Sequence, residues 1–166
     1  MSSLIQAVVA VSGPLVNGTT DDTESEIFRC PRSVPVLHFH GLEDPIVPFT
    51  GCNQSYGGLV CRTMQKFPGV AAFPPVDDYI ADWRIRNGVP DGVGNVTFEN
   101  QTALCTSWGE ATSNVTLCTL QNEGHAWPGS CTDISIGPLK CTYDIDASYQ
   151  AMEFIRQQLP ASIDID

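Results

Sequence analysis

Two runs of apolar residues near the start of the chain predict neighbouring strands. The first covers residues 4–12, and the second is Val34-Pro-Val-Leu-His-Phe-His40. Both runs are nearly continuous rather than alternating, which is typical of strands covered on both faces in a parallel sheet. Gly41 ends the second run and lets the chain turn sharply. This pattern indicates an α/β fold.

Apolar positions at helical spacing predict two helices later in the chain. The first covers residues 76–87, with acidic residues in its first turn and Asn87-Gly88 as its stop. The second covers residues 146–158, with Asp146 as its N-cap. Four apolar residues of the second helix are expected to face the sheet, namely Ala147, Ala151, Phe154 and Ile155.

Between these helices, the alternation of apolar and polar residues predicts a β-hairpin. Its strands are residues 95–107 and 114–120, joined around Trp108-Gly109. Residues 61–75 show no clear period, so no element is predicted there. The stretches 14–33 and 130–145 are expected to be loops.

An acidic residue and a histidine each follow a predicted strand. Asp44 lies just past the strand at 34–40, in a loop stiffened by two prolines. His125 follows the strand at 114–120. Open α/β sheets place their working residues at the carboxyl ends of strands. The order, Asp before His, is the one in which an α/β-hydrolase completes its Ser-Asp-His triad.

Asp44 and His125 can together supply two of the three parts of a serine hydrolase. Ester hydrolysis by a serine needs a base that titrates near neutral pH. That base needs a buried carboxylate to fix its tautomer and stabilise the imidazolium. Taken singly, Asp44 would be a turn residue capping its own loop, and His125 a surface histidine. Their joint placement after strands favours the catalytic interpretation.

Four segments carry a family resemblance. The segments His40-Gly-Leu-Glu-Asp44-Pro-Ile-Val-Pro48 and Gly124-His125-Ala-Trp127-Pro128-Gly129 resemble the paired signatures of the secreted polyhydroxybutyrate depolymerase and feruloyl esterase family of α/β-hydrolases. Residues 7–13 are similar to the family's strand after the nucleophile helix, and residues 79–88 to its helix ending in Asn-Gly. The resemblance covers about residues 5–156, in the family's order.

The resemblance implies a fold, a site and an activity. The fold would be the C-terminal part of an α/β-hydrolase, a mostly parallel sheet flanked by helices with disulfide-tied loops. Asp44 would orient His125, and His125 would act as general base and acid. The activity implied is that of a secreted carboxylic-ester hydrolase acting on a plant cell-wall ester or a polyester, without a cofactor.

The family's nucleophile, the serine of a Gly-x-Ser-x-Gly elbow, has no counterpart in this sequence. The only two glycines at that spacing are Gly88 and Gly92, with Pro90 between them. We therefore expect residues 1–166 to form a single domain, the C-terminal half of the hydrolase, inactive alone. The serine and the oxyanion hole would belong to a missing N-terminal half. The alternative is a non-catalytic secreted glycoprotein that keeps the scaffold as a binding module; a peptidase on this fold is a weaker third interpretation.

Charge and hydropathy argue against several partners. The formal net charge is -11, from 19 acidic and 8 basic residues. Nucleic acids and anionic membranes need clustered Lys and Arg, so neither is expected as a partner. No apolar run reaches the roughly 20 residues of a membrane span, and residues 1–4 do not form a signal peptide. Hydrophobic residues make up 42% of the chain, which favours a folded domain over disorder.

Seven cysteines and five Asn-x-Ser/Thr sequons indicate a secreted glycoprotein. The cysteines do not form the Cys-x-x-Cys pairs of zinc sites. Their positions in loops and at strand ends are typical of disulfides in an oxidising compartment. The sequons, which predict N-glycosylation, begin at Asn17, Asn53, Asn95, Asn100 and Asn114.

Sequence spacing suggests three disulfides, although connectivity does not follow from sequence alone. The predicted partners either close a short loop or face each other across the hairpin: Cys52 with Cys61, Cys131 with Cys141, and Cys105 with Cys118. Cys30 is left over. Either its partner lies in the missing half, or it is a buried free thiol.

His38 and His40 allow an alternative chemistry. They share one face of their strand, and with His125 they would make a three-histidine zinc site. Buried, hydrogen-bonded histidines are the commoner outcome, and no metal is expected.

Four further residues are considered for roles at or near the predicted pair. Trp127 either lines the substrate pocket or packs to pin the loop of His125, and the same alternatives hold for Trp108. Glu43 and Glu123 are expected to be exposed, and Glu43 is a weak alternative for the triad acid.

Overall fold

The computed structural model describes residues 5–13, 32–52, 59–64, 66, 73–131 and 140–159. Within these residues the chain forms strands, α-helices and one 3-10 turn at Ala111–Ser113. The strands are β1 (Val8–Val11), β2 (Val36–Gly41), β3 (Asn95–Glu99), β4 (Ala103–Trp108) and β5 (Val115–Leu120). The helices are α1 (Leu59–Met64), α2 (Val76–Arg86) and α3 (Ala147–Gln157).

The strands form one mixed sheet in the order β1-β2-β5-β4-β3. β2 pairs in parallel with β1 and with β5, whereas β4 pairs antiparallel with β5 and with β3. Every residue of β2 is buried, which explains why its apolar run is nearly continuous rather than strictly alternating with exposed polar residues. The predicted α/β class is confirmed, as a mixed sheet with helices.

Successive residues of β2 point to opposite faces of the sheet, and each face has its own core. On one face Leu37 and Phe39 pack with Phe154 of α3. On the other face Val36 packs with Tyr79 of α2. Burial of a side chain such as Phe39 contributes roughly 1.5–3 kcal/mol to stability. The two helices therefore cover opposite sides of the strand that leads to Asp44.

Both predicted helices are confirmed to within a residue or two at each end. α2 begins at Val76 as predicted and ends just before Asn87. α3 has Asp146 as its N-cap, whose carboxylate accepts a hydrogen bond from the backbone N–H of Tyr149 at 2.9 Å. α1 lies partly in the stretch for which no element was predicted.

The strand predicted at residues 95–107 is wrong, because the chain turns at Asn100 and forms β3 and β4 instead. The side chain of Asn100 accepts hydrogen bonds from the backbone N–H groups of Thr102 and Ala103, at 2.9 and 2.7 Å. A side chain that bonds to backbone two and three residues ahead stabilises a turn. The second part of the predicted hairpin is confirmed, since β4 pairs directly with β5.

The predicted disulfides are confirmed. They are Cys52–Cys61, Cys105–Cys118 and Cys131–Cys141. The second joins residues that stand directly opposite each other on β4 and β5. Several disulfides in one small chain are typical of an oxidising compartment. Cys30 lies outside the described residues.

The described helices include none that is both long and apolar enough to cross a membrane.

Candidate active site

Asp44 occupies the loop after β2 and is almost completely buried, at 2% exposure. Its Oδ1 accepts hydrogen bonds from the backbone N–H groups of Ile46 and Val47, at 2.8 and 2.9 Å. These bonds fold the loop around the carboxylate and satisfy one oxygen of a group that is costly to bury unpaired. The loop-capping role considered from sequence is therefore present, and it uses only one of the two oxygens.

The second oxygen of Asp44 faces His125. Nδ1 of the imidazole lies 2.8 Å from Oδ2 of the carboxylate. A carboxylate oxygen only accepts, so Nδ1 carries the hydrogen and Nε2 of the neutral ring is left as the basic nitrogen. The His125 side chain is 35% exposed, whereas that of Asp44 is fully enclosed. Solvent can therefore reach the imidazole but not the carboxylate bonded to it.

The sheet brings the two loops together. β2 and β5 are neighbouring parallel strands, so their carboxyl ends meet at the same edge. Beyond the strands the pairing continues, with the N–H of Leu42 donating to the carbonyl of Leu120 at 2.8 Å and that of Glu43 to Glu123 at 3.1 Å. The loops carrying acid and base thus remain hydrogen-bonded to each other past the last strand residue.

Glu43 does not take the place of Asp44. Its side chain is exposed, as predicted, and its carboxylate lies 2.8 Å from the ammonium of Lys140. A surface ion pair of this kind contributes little to stability, about 1 kcal/mol or less. The acid that contacts His125 is Asp44.

Glu123 is the main error of the sequence analysis at this site. We expected an exposed side chain, but Glu123 is fully buried. Oε2 accepts a hydrogen bond from the backbone N–H of Thr142, and Oε1 has no partner among the residues that the structure describes. Burial raises the pKa of the Glu123 carboxyl to about 7, against the opposing effect of the Thr142 hydrogen bond.

Residues 140–146, here called the buttress segment, are hydrogen-bonded to the loop of His125. The N–H of Gly124 donates to the carbonyl of Lys140 at 2.7 Å, and the N–H of Gly129 to that of Thr142 at 2.9 Å. The Cys131–Cys141 disulfide ties the segment to the end of the same loop. The sequence predicted a loop at residues 130–145 closed by Cys131 and Cys141, and the disulfide is confirmed. The hydrogen bonds to the loop of His125 were not predicted.

His38 and His40 are buried in β2 on the face covered by α2. Nε2 of His38 lies 3.0 Å from Nδ1 of His40, and Nε2 of His40 lies 2.8 Å from the carbonyl oxygen of Val47. Burial, and secondarily the neighbouring His40, lowers the pKa of His38 to about 3. In the described part of the chain, no three His, Cys, Asp or Glu side chains are grouped to hold a metal ion.

Trp127 is 45% exposed and ties the loop of His125 to α3. Its indole N–H donates to Oγ of Ser148 at 3.0 Å. Trp108 is half-buried against the core on the α2 side, and its N–H donates to the carbonyl of Gly92 at 3.2 Å. Both contacts support the packing roles, while a pocket role for Trp127 stays a prediction.

A groove of about 210 Å³ lies elsewhere, between the sheet and α3. Neither Asp44 nor His125 lines it. Its walls include polar and apolar residues from both elements, among them Leu37, Cys105, Thr116, Gln150 and Phe154.

Three of the five predicted glycosylation sites fall within the described residues. Asn95 and Asn100 are exposed, and the amide nitrogen of Asn100 donates to the carbonyl of Asp144 at 2.8 Å. Asn114 is half-buried, and its amide nitrogen donates to Oγ of Ser107 at 2.9 Å. A glycan on Asn114 would have to share that nitrogen with Ser107. The other two sites, Asn17 and Asn53, lie outside the described residues.

Comparison with known proteins finds no protein-family model that matches this chain and no curated protein that matches it. The functional assignment therefore rests on the motifs and on the geometry of Asp44 and His125.

Proposed function

We propose that this chain supplies the acid and the base of a secreted serine ester hydrolase similar to the polyhydroxybutyrate depolymerases and feruloyl esterases. The observation that carries the proposal is the 2.8 Å contact between Oδ2 of Asp44 and Nδ1 of His125, at the carboxyl ends of adjacent parallel strands. A buried carboxylate behind a partly exposed imidazole is the acid–base half of a catalytic triad.

In the proposed reaction, Nε2 of His125 takes the proton of a serine hydroxyl as its oxygen attacks the ester carbonyl. The imidazolium that forms is stabilised by Asp44, which stays ionised. Nε2 then gives the proton to the departing alcohol, leaving an acyl-serine. Water repeats the same sequence in the second half of the reaction, releasing the acid and restoring the serine.

The proposed chemistry needs a nucleophilic serine and an oxyanion hole, and the sequence has no Gly-x-Ser-x-Gly elbow. Both parts would come from residues outside this sequence, so the chain alone should not turn over esters. The proposed substrates are plant cell-wall esters or polyesters, and the disulfides are compatible with an extracellular location.

The missing elbow also supports a second candidate, a secreted glycoprotein that keeps the scaffold as a binding module. That candidate predicts no ester turnover by any form of the protein. The enzyme proposal predicts turnover whenever a nucleophile half accompanies these residues.

A turnover assay distinguishes the two candidates. Hydrolysis of p-nitrophenyl acetate and methyl ferulate should be absent for the chain alone and present for the full-length protein from its source. In the full-length protein, Asp44→Asn and His125→Ala should each lower kcat by about 1000-fold or more. Glu43→Gln, which removes the neighbouring exposed carboxylate, is the matched control and should leave kcat unchanged. Full activity in the His125→Ala variant would overturn the proposal.

A further inference from the structure

Two buried histidines lead from the interior of β2 to the loop of Asp44. Nε2 of His40 lies 2.8 Å from the carbonyl oxygen of Val47, and a carbonyl only accepts, so this nitrogen carries the hydrogen. A neutral ring has a single N–H, so Nδ1 of His40 must accept from Nε2 of His38, 3.0 Å away. In their neutral forms, both rings are therefore protonated on Nε2.

The surroundings keep both rings neutral. His38 and His40 are fully buried, with rings stacked at 5.3 Å and the ring of Phe49 against His40 at 5.8 Å. Burial lowers the pKa of both, and that of His38 falls to about 3. The Val47 carbonyl and Asp44 oppose this shift at His40 without reversing it.

The residue that accepts from His40 is also the one that holds Asp44. The carbonyl of Val47 receives the imidazole N–H, and its backbone N–H donates to Oδ1 of Asp44 at 2.9 Å. One amino acid thus joins the two side chains. Val47 shares Oδ1 with the N–H of Ile46, so the bond from His40 holds one of the two backbone donors to that oxygen.

His40 stands close enough to Asp44 to compete for its other oxygen. Nε2 of His40 lies 3.8 Å from Oδ2, the oxygen that faces His125. The shorter bond to Val47 turns the N–H away from that oxygen. A second proton on His40 would sit on Nδ1, directly opposite the N–H of His38. This clash disfavours the charged His40 ring, which would otherwise be attracted to Oδ2 of Asp44.

We infer that His40 is a positioning residue for the Asp44–His125 pair, acting through Val47, and that His38 fixes the tautomer of His40. This inference rests on the proposed function, because orienting Asp44 matters for catalysis only if the protein is an ester hydrolase. The hydrogen bonds are present with or without catalysis, so they are testable separately from it.

Nuclear magnetic resonance of the ¹⁵N-labelled chain tests the inference. Two-bond ¹H–¹⁵N spectra should show His38 and His40 as neutral rings protonated on Nε2. The Nδ1 proton of His125 should give a downfield resonance from its bond to Asp44. Two variants compare the role of the donor: His40→Gln keeps an N–H near the position of Nε2, whereas His40→Phe fills the volume without one.

The His125 Nδ1 proton resonance should be lost in His40→Phe and retained in His40→Gln. A merely structural His40 would lower the stability of the Phe variant and leave that resonance in place, which would overturn the inference. Protonation on Nδ1 of His38 or His40 in the unsubstituted chain would also overturn it, and that result needs no variant to fold. Neither measurement uses a substrate, so a protein without esterase activity would count against the proposed function alone.

Discussion

Gly41 and Glu123 meet backbone to backbone where β2 and β5 end. A Cβ atom at Gly41 would lie 2.3 Å from the carbonyl oxygen of Glu123 and 2.7 Å from that of Gly124. Cβ atoms do not approach other heavy atoms so closely in packed proteins. The two loops that carry Asp44 and His125 can lie this close side by side because residue 41 is a glycine.

We predict that Gly41→Ala forces these loops apart. The added methyl meets backbone atoms that cannot rotate away, so the free energy of unfolding should fall by about 1–3 kcal/mol. Gly92→Ala is the control, because nothing lies within 4 Å of the added atom there; its effect should stay within about 0.5 kcal/mol. Urea unfolding of the two variants measures the difference, and equal stabilities would contradict the prediction.

Glu123 should make stability depend on pH near neutrality. Its pKa is raised from 4.5 to about 7, so between these values the folded chain holds a proton that the unfolded chain has released. A chain that binds more protons when folded loses stability as the pH rises, by at most about 1.4 kcal/mol per pH unit for one proton. This loss should begin near pH 4.5 and be complete above about pH 7.

The effect is isolated by subtracting the unfolding free energy of Glu123→Gln from that of the unsubstituted chain at each pH. The difference should fall between pH 4.5 and 7 and stay flat outside that interval. The titrations of His38 and His40 occur in both proteins and cancel. Glu99→Gln, at an exposed position of β3, should show no such fall. A difference for Glu123→Gln that does not change with pH would count against a buried, neutral carboxyl.

The Cys131–Cys141 disulfide should protect the loop of His125 from opening. Replacing both cysteines by serine frees the buttress segment, whose Lys140 carbonyl binds the N–H of Gly124. Loss of a disulfide typically costs about 2–4 kcal/mol, so hydrogen exchange at the Gly124 amide should accelerate at least about tenfold.

Replacing Cys52 and Cys61 by serine is the matched control, since that disulfide closes a loop of similar length, whereas the Gly124 N–H donates to Lys140. Exchange at Gly124 should then change little. The same acceleration in both variants would mean that global stability, rather than the buttress segment, controls the loop.

The parts of the site that the sequence predicted are those set by strands. The apolar run 34–40 identified β2. A residue just after a buried parallel strand must lie at the carboxyl edge of the sheet. Asp44 and His125 were predictable for that reason. The pairing of Cys105 with Cys118 was also predictable, because both lie at matching positions of a hairpin.

The parts that were missed depend on contacts between distant segments. Glu123 lies between Asn122 and Gly124, a polar context that predicts exposure; it is buried because the buttress segment folds over it. The break between β3 and β4 had a local signal in Asn100, whose side chain stabilises the turn. That signal was outweighed by the apolar residues on both sides.

Labelling with a fluorophosphonate serine probe tests the central claim most directly. The full-length protein from its source would be treated with the probe and the labelled peptide sequenced. We predict one labelled serine, in a peptide outside these 166 residues and in the same chain, with labelling abolished by His125→Ala. A label on a serine within them, such as Ser12 at the end of β1, would contradict the assignment of the nucleophile. No label on folded, full-length protein would contradict the hydrolase proposal and favour the binding module.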